Sequence, residues 1–202
     1  TQFSDRLEII YLRSEKGLSR ARNVGLRHVK GEIVCFPDDD CWYQPDVIEY
    51  VARRFQAEPA LHGLTGCSVD AAGAPSQGRW ATEQRVVDRY NVWTCATSYT
   101  IFLRADAVRE AGTFDELLGV GSGSRWGAGE EVNYLLGVIG AGMRVCYDPA
   151  LCIFHPEPLR VMDEKAFSRV KLYNRGFGRV LGLNAYPGYF VFYLISRSAA
   201  GC

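Results

Sequence analysis

The chain has 202 residues, 48% apolar and 23% charged, with a formal net charge of zero. That is the make-up of a globular domain with enough chain for a real core, and its charge balance gives no pointer to nucleic acid as a partner. Seven cysteines occur without a CxxC pair, and residues 1–13 hold no uninterrupted apolar run of the signal-peptide kind. Cys35, Cys67, Cys95, Cys146 and Cys152 fall in apolar, strand-like runs and read as buried free thiols of a reducing compartment.

In chain order, residues 7–12 (LEIIYL) predict a strand. Ser19 is placed to cap a helix over residues 20–29, which Gly31 ends. Residues 32–37 form a second strand, nearly all apolar as a buried parallel strand is. Pro45 suits the first turn of a helix over residues 46–56. Residues 63–69 read as a strand, and residues 71–90 are polar without a clear period. A strand over 94–103 and a short helix over 106–111 follow. Five glycines between 119 and 129 predict a mobile loop, before a helix over 130–139 and short strands at 143–147 and 151–154. This alternation predicts an α/β fold, a mostly parallel sheet with helices on both faces. Ligands of such sheets bind beyond the carboxyl ends of the strands.

Asp38-Asp39-Asp40 stand at one such end. Alternate residues of an extended chain share a face, so Asp38 and Asp40 converge on one point. Two carboxylates there suit Mg²⁺ or Mn²⁺, which completes its shell with substrate phosphates. A solvated acidic turn is the competing reading. Glu130 and Glu131 open the helix after the glycine loop. Helical neighbours point about 100° apart, so only one faces a site. That one is placed to act as general base on an attacking hydroxyl, whereas a simple helix-start preference for acids explains the pair without function. His155 follows the last strand, either as a packed residue or as a metal ligand with Asp38 and Asp40. No GxGxxG fingerprint, Walker A sequence or HExxH occurs.

Four segments carry a resemblance: GLSRARNVGL at 17–26, GEIVCFPDDD at 31–40, TIFLRADAVREAGTFDE at 100–116 and GAGEEVNYLLGVIGAGMRVCYDPALCIFH at 127–155. In this order they resemble a family 2 glycosyltransferase with the GT-A fold, over residues 7–157. The resemblance implies a Rossmann-like, mostly parallel sheet flanked by helices. It implies inverting transfer of a sugar from a nucleotide-sugar to an acceptor hydroxyl, with Mg²⁺ or Mn²⁺ holding the diphosphate. By the same resemblance Asp40 is the direct metal ligand, Asp38 reaches ribose or a metal-bound water, and Asp39 touches ribose. Arg22 and Asn23 match an ArgAsn pair near the nucleotide, and His155 a histidine that binds the metal in some members. Glu131 stands where the family carries an acidic base, usually Asp, and Glu130 matches a residue that meets the acceptor. Apart from the resemblance, Trp126 in the glycine loop is placed to stack on a sugar face, with an exposed or packed loop tryptophan as the alternative. The same family pattern has a strand–helix–strand unit ahead of residues 7–12, a unit of about 30 residues. Its apparent absence predicts a fold truncated at the N-terminus, with little turnover from this chain alone.

From residue 160 onward there are seven Lys/Arg and two acids, a net +5, and then the run AYPGYFVFYLI. That run is too short to span a bilayer. A basic helix followed by an aromatic patch suits an anchor on an anionic membrane surface, with packing onto the domain as the alternative. The expected organisation is therefore a partial GT-A domain at 1–157 and a helical tail at 158–202. The expected partners are a nucleotide-sugar donor and a glycan or lipid-linked acceptor in surface polysaccharide or lipid-glycan synthesis. The expected location is cytoplasmic, peripheral on the inner membrane face. A nucleotidyltransferase on a similar α/β fold, which would need neither the Glu130–Glu131 helix nor the signature at residues 17–23, and a non-catalytic sugar-binding module, against which the retained acidic and ArgAsn positions argue, are the alternatives.

Overall fold

The computed structural model describes residues 8–156 and 163–199. The expected domain boundary at 157–158 lies outside the described residues, as does Leu7. The elements in order are α1 (Leu18–Leu26), β1 (Ile33–Cys35), α2 (Val47–Ala57), β2 (Gly63–Val69), β3 (Arg85–Val86), β4 (Ile101–Arg104), α3 (Ala105–Ala111), α4 (Glu130–Gly140), β5 (Val145–Phe154), α5 (Glu164–Leu183) and α6 (Gly188–Ala199). Single 3₁₀ turns at Val92–Thr94 and Ser98–Thr100 precede β4.

The five strands lie in the order β1-β4-β2-β5-β3. The α/β architecture is as expected, but the pairing sense differs from a mostly parallel sheet. Only β2 and β5 pair in parallel, while β1–β4, β2–β4 and β3–β5 are antiparallel. The reason is insertion. β1 and β2 run the same way, joined by α2 as a parallel crossover, and β4 returns to slot between them in the opposite direction.

Side chains alternate across the sheet as the pleat requires. Phe102, Leu64, Cys146 and Ile153 pack on one face against Val47, Val51 and Phe55 of α2. Those three α2 residues are four apart, one stripe of a helix. Ile101, Leu103, Val145 and Tyr147 face the other way, toward α3 and α4. Every residue of β2 is buried, because both faces are covered. Cys67 and Cys152 meet across β2 and β5 as free thiols, with their sulfurs 3.1 Å apart.

Four local expectations change. The strand expected over residues 94–103 shortens to β4, with 3₁₀ turns in place of its first part. Residues 8–12 form no strand, and Ile9, Ile10 and Tyr11 are exposed, since no neighbouring strand among the described residues pairs with them. Ser19 does not cap α1. The helix starts after Gly17, and the Ser19 hydroxyl is buried, donating to the Leu118 carbonyl at 2.7 Å. Residues 143–147 and 151–154 are one strand, β5, whose register against β2 shifts between Thr65 and Cys67.

The glycine loop is held by close backbone packing. Gly127 N donates to Leu172 O of α5 at 3.3 Å. A Cβ on Gly176 of α5 would overlap the Ala128 backbone. The glycine there thus serves close approach of helix to loop. The tail also docks on the domain. The indole ring of Trp93 meets Phe177 at 6.0 Å and Tyr186 at 5.9 Å, both edge-on, and Asn184 bonds Asn133 of α4 at 3.0 Å. Val180, Tyr186 and Phe190 belong to the same core as α4. The outer side of α6 is apolar and open: Tyr189 and Phe192 are 70% and 72% exposed. No helix among the described residues is long and apolar enough to cross a membrane.

Candidate active site

β1 ends at Cys35, and the chain turns through Asp38, Asp39 and Asp40 at the sheet's carboxyl edge. The turn is tied to the end of β5. Trp42 and Phe154 exchange both backbone hydrogen bonds, at 2.9 and 3.1 Å, and their rings stack at 5.3 Å. His155, the next residue, donates its backbone N–H to Val69 at the end of β2. The consequence is that His155 Nε2 lies 3.0 Å from Asp40 Oδ1. The imidazole ring is steadied by stacking on Tyr99 at 4.8 Å. Tyr99 in turn donates to Ser68, and Ser68 bonds Ser76.

Asp38 is turned elsewhere. Arg22 Nη2 is 3.5 Å from one of its oxygens, and the Ser98 hydroxyl donates to both at 3.2 Å. Burial raises the Asp38 carboxyl above its usual range, while Arg22, Ser98 and His155 pull it back. Asp39 is exposed at the tip of the turn.

Arg22 links this turn to α4. Its Nη1 donates to Glu130 Oε1 at 3.2 Å, and its guanidinium lies over the rings of Phe36 and Phe114. Glu130 is therefore a buried ion-pair partner, with Gly119 packed against its carboxylate, and it does not open toward an acceptor. Asn23 is likewise internal. Its amide donates to Phe114 O and Glu116, and its Oδ1 accepts from Phe114 N. The ArgAsn pair thus positions the DDD turn, α4 and the loop at 114–119, and Asn23 contacts no open surface.

Glu131, the next residue of α4, keeps its carboxyl close to that of Glu130. It lines a cavity of about 630 Å³ whose other walls include Trp80, Trp93, Thr97, Phe177 and Leu194. Burial in these apolar surroundings pushes its carboxyl up to about 8, and the neighbouring Glu130 charge adds to the rise. The cavity reaches the aspartate turn through its rim. Thr97 adjoins Ser98, which holds Asp38, and Gln77 Nε2 donates to the Pro156 carbonyl beside His155.

Trp126 is not in this cavity. Its ring lies under the Arg179 guanidinium of α5 at 4.0 Å, with Arg125 at 5.3 Å. The stacking face expected to meet a sugar is occupied by arginine.

Among the described residues no group of three or more His, Cys, Asp or Glu side chains converges as a metal site. Asp40 and His155 alone make a carboxylate–imidazole pair. Such a pair fits a hard or borderline divalent ion that takes its remaining ligands from phosphate and water. Asp38 lies nearby but is engaged by Arg22 and Ser98. Sequence reasoning missed Ser98, Tyr99 and the contribution of α5 and α6 to the cavity wall. Nothing in a Ser or Tyr within a stretch read as a strand marks it as a support for a residue far away in sequence, as Ser98 is for Asp38, 60 positions back.

The structure is an α/β domain with acidic residues at a strand end, beside a cavity lined by one carboxylate. The chain belongs to glycosyl transferase family 2, whose model matches residues 1–109. That segment carries Arg22, Asn23 and the aspartate turn; Glu130, Glu131 and His155 lie beyond it. Glycosyltransferase AglE of Haloferax volcanii is 26% identical over 140 residues, covering 62% of this chain and 43% of that protein. The crystal structure of S. aureus TarS 1-349 shares the fold, with a TM-score of 0.54 and 15% identity over 86% of this chain and 54% of that one. The chain thus spans about half the length of the relatives it matches.

Proposed function

We propose that this domain transfers a sugar from a nucleotide-sugar to an acceptor hydroxyl with inversion at the anomeric carbon. The observation that carries this reading is the Arg22 bridge. One buried guanidinium joins Asp38 at 3.5 Å to Glu130 at 3.2 Å, so the aspartate turn and the Glu131 helix form a single unit. Asp40 and His155 are the residues suited to hold Mg²⁺ or Mn²⁺. When bound, the ion neutralises charge on the diphosphate leaving group.

Glu131 is the base. Ionised, its carboxylate takes the acceptor hydroxyl proton. The oxygen then bonds the anomeric carbon from the face opposite the leaving group, and the breaking bond's electron pair departs with the nucleoside diphosphate. A base raised toward neutrality holds that proton well once taken. Asp39, exposed at the turn, is free to meet ribose.

The acceptor in this proposal is a glycan or lipid-linked hydroxyl of surface polysaccharide or lipid-glycan synthesis, reached at the inner face of a membrane. The basic tail and the exposed aromatic side of α6 support it. The test is turnover of a nucleotide-sugar panel with and without divalent metal. Release of nucleoside diphosphate with a glycosylated acceptor supports the reading. Pyrophosphate release points instead to nucleotidyl transfer, and no turnover points to a binding module.

A further inference from the structure

A second cavity, of about 520 Å³, opens on the far side of α5. Its lining holds Arg125, Arg175 and Arg179 with Trp126, and no acidic residue. We propose that these three arginines form a phosphate-binding subsite. Among the described residues none of the three guanidiniums has a carboxylate partner or any protein hydrogen-bond acceptor. Arg179 Nε is buried without a partner, an arrangement that costs stability until an acceptor arrives. Arg175 and Arg179 stand one turn apart on α5, where like charges repel. An anion between them reverses the sign of that interaction.

The cradle is built rather than incidental. Trp126 holds Arg179 at 4.0 Å and Arg125 at 5.3 Å from its ring, fixing two guanidinium planes by cation–π contact. The Gly176 backbone pressed against Ala128 sets the height of α5 over the loop that carries Arg125 and Trp126. Planar forks held in this way suit the paired oxygens of a phosphate. Gly178 lines both this cavity and the one entered by Glu131. If the chain transfers a sugar as proposed above, the phosphate sits on the acceptor side. That placement rests on the transferase reading; the binding itself does not.

The experiment is calorimetric titration of the 202-residue chain with inorganic pyrophosphate at low salt, with EDTA present to silence any metal at Asp40 and His155. A parallel arm uses vesicles of phosphatidylcholine with and without phosphatidylglycerol. Binding should weaken as salt rises. Arg125→Gln with Arg175→Gln, both on exposed side chains, should weaken it roughly tenfold or more, the size of one lost charge-assisted hydrogen bond. Arg175→Gln alone repeats the measurement if circular dichroism shows the double variant unfolded. Loss of pyrophosphate binding in the variant supports a phosphate on a soluble ligand, and loss of vesicle binding alone supports a lipid headgroup phosphate. Equal binding by variant and parent in both arms, or no binding by the parent in either, overturns the subsite. Either result leaves sugar turnover as a separate question.

Discussion

His155 Nε2 lies 3.0 Å from Asp40 Oδ1, although the two residues come from opposite ends of the sheet's sequence. The contact exists because the Trp42–Phe154 bridge lashes the aspartate turn to β5. It gives the domain one carboxylate–imidazole pair at the strand edge, the pair suited to a divalent ion under the transferase proposal.

Asp40→Asn and His155→Ala should each abolish Mn²⁺-dependent donor binding in calorimetry, with Trp42→Ala weakening it through loss of the tether. Asp38→Asn should have the smaller effect, since Arg22 and Ser98 hold that side chain. Unchanged Mn²⁺ and donor binding in both Asp40→Asn and His155→Ala would place the metal elsewhere.

Glu131→Gln should lower turnover roughly 100-fold or more, with donor affinity retained, as general-base loss does. Glu130→Gln should act differently. It leaves buried Arg22 with Asp38 as its remaining carboxylate and should lower stability by about 1–3 kcal/mol by urea unfolding. A stable Glu130→Gln that loses turnover, beside a normal Glu131→Gln, would exchange the two roles.

The pH dependence follows from the same carboxyl. With its ionisation raised to about 8 in the folded chain, kcat/KM should climb through that region as the base becomes available. Stability should move the opposite way. Below pH 4.5 the carboxyl is protonated folded or unfolded, and the full stability is present. Above it the unfolded chain gives up a proton that the folded chain keeps, so stability falls until pH passes about 8. Glu131→Gln should therefore melt higher than the parent at pH 8, with the gap closing toward pH 4.5. A gap that stays constant with pH would mean that Glu131 titrates normally.

Gly176→Ala should destabilise the chain by about 1–3 kcal/mol, the range for overpacking, because its methyl meets the Ala128 backbone. Gly178→Ala, whose Cβ meets nothing within 4 Å, is the control and should be stable. Equal melting temperatures for the two would show that helix and loop are not in contact.

Co-sedimentation with vesicles should rise with phosphatidylglycerol content and fall with salt. Phe192→Ser on the open side of α6 should reduce it. Equal binding to neutral vesicles would remove the electrostatic part of this idea.

Much of this was written in the sequence because it is local. The alternation of strands and helices, the position of β2 at residues 63–69, and the aspartate turn after β1 follow from period, turn residues and apolar runs. The expectation that only one of Glu130 and Glu131 faces a site needs only the angle between helical neighbours; in the structure Glu131 alone of the two lines the cavity, with Glu130 paired to Arg22. Tertiary structure decided what depends on residues far apart. Periodicity carries no sign of strand direction, so the antiparallel insertion of β4 between β1 and β2 was hidden. Residues 8–12 have the composition of a strand, but a strand forms only where a neighbour supplies hydrogen bonds. Arg22 and Asn23 read as nucleotide contacts, yet burial turned both into internal brackets, since a buried guanidinium must find carboxylates. Trp126 and the tail arginines were legible only as an aromatic residue and a net charge. The packing of α5 on the glycine loop, backbone against backbone, brought them into one cradle.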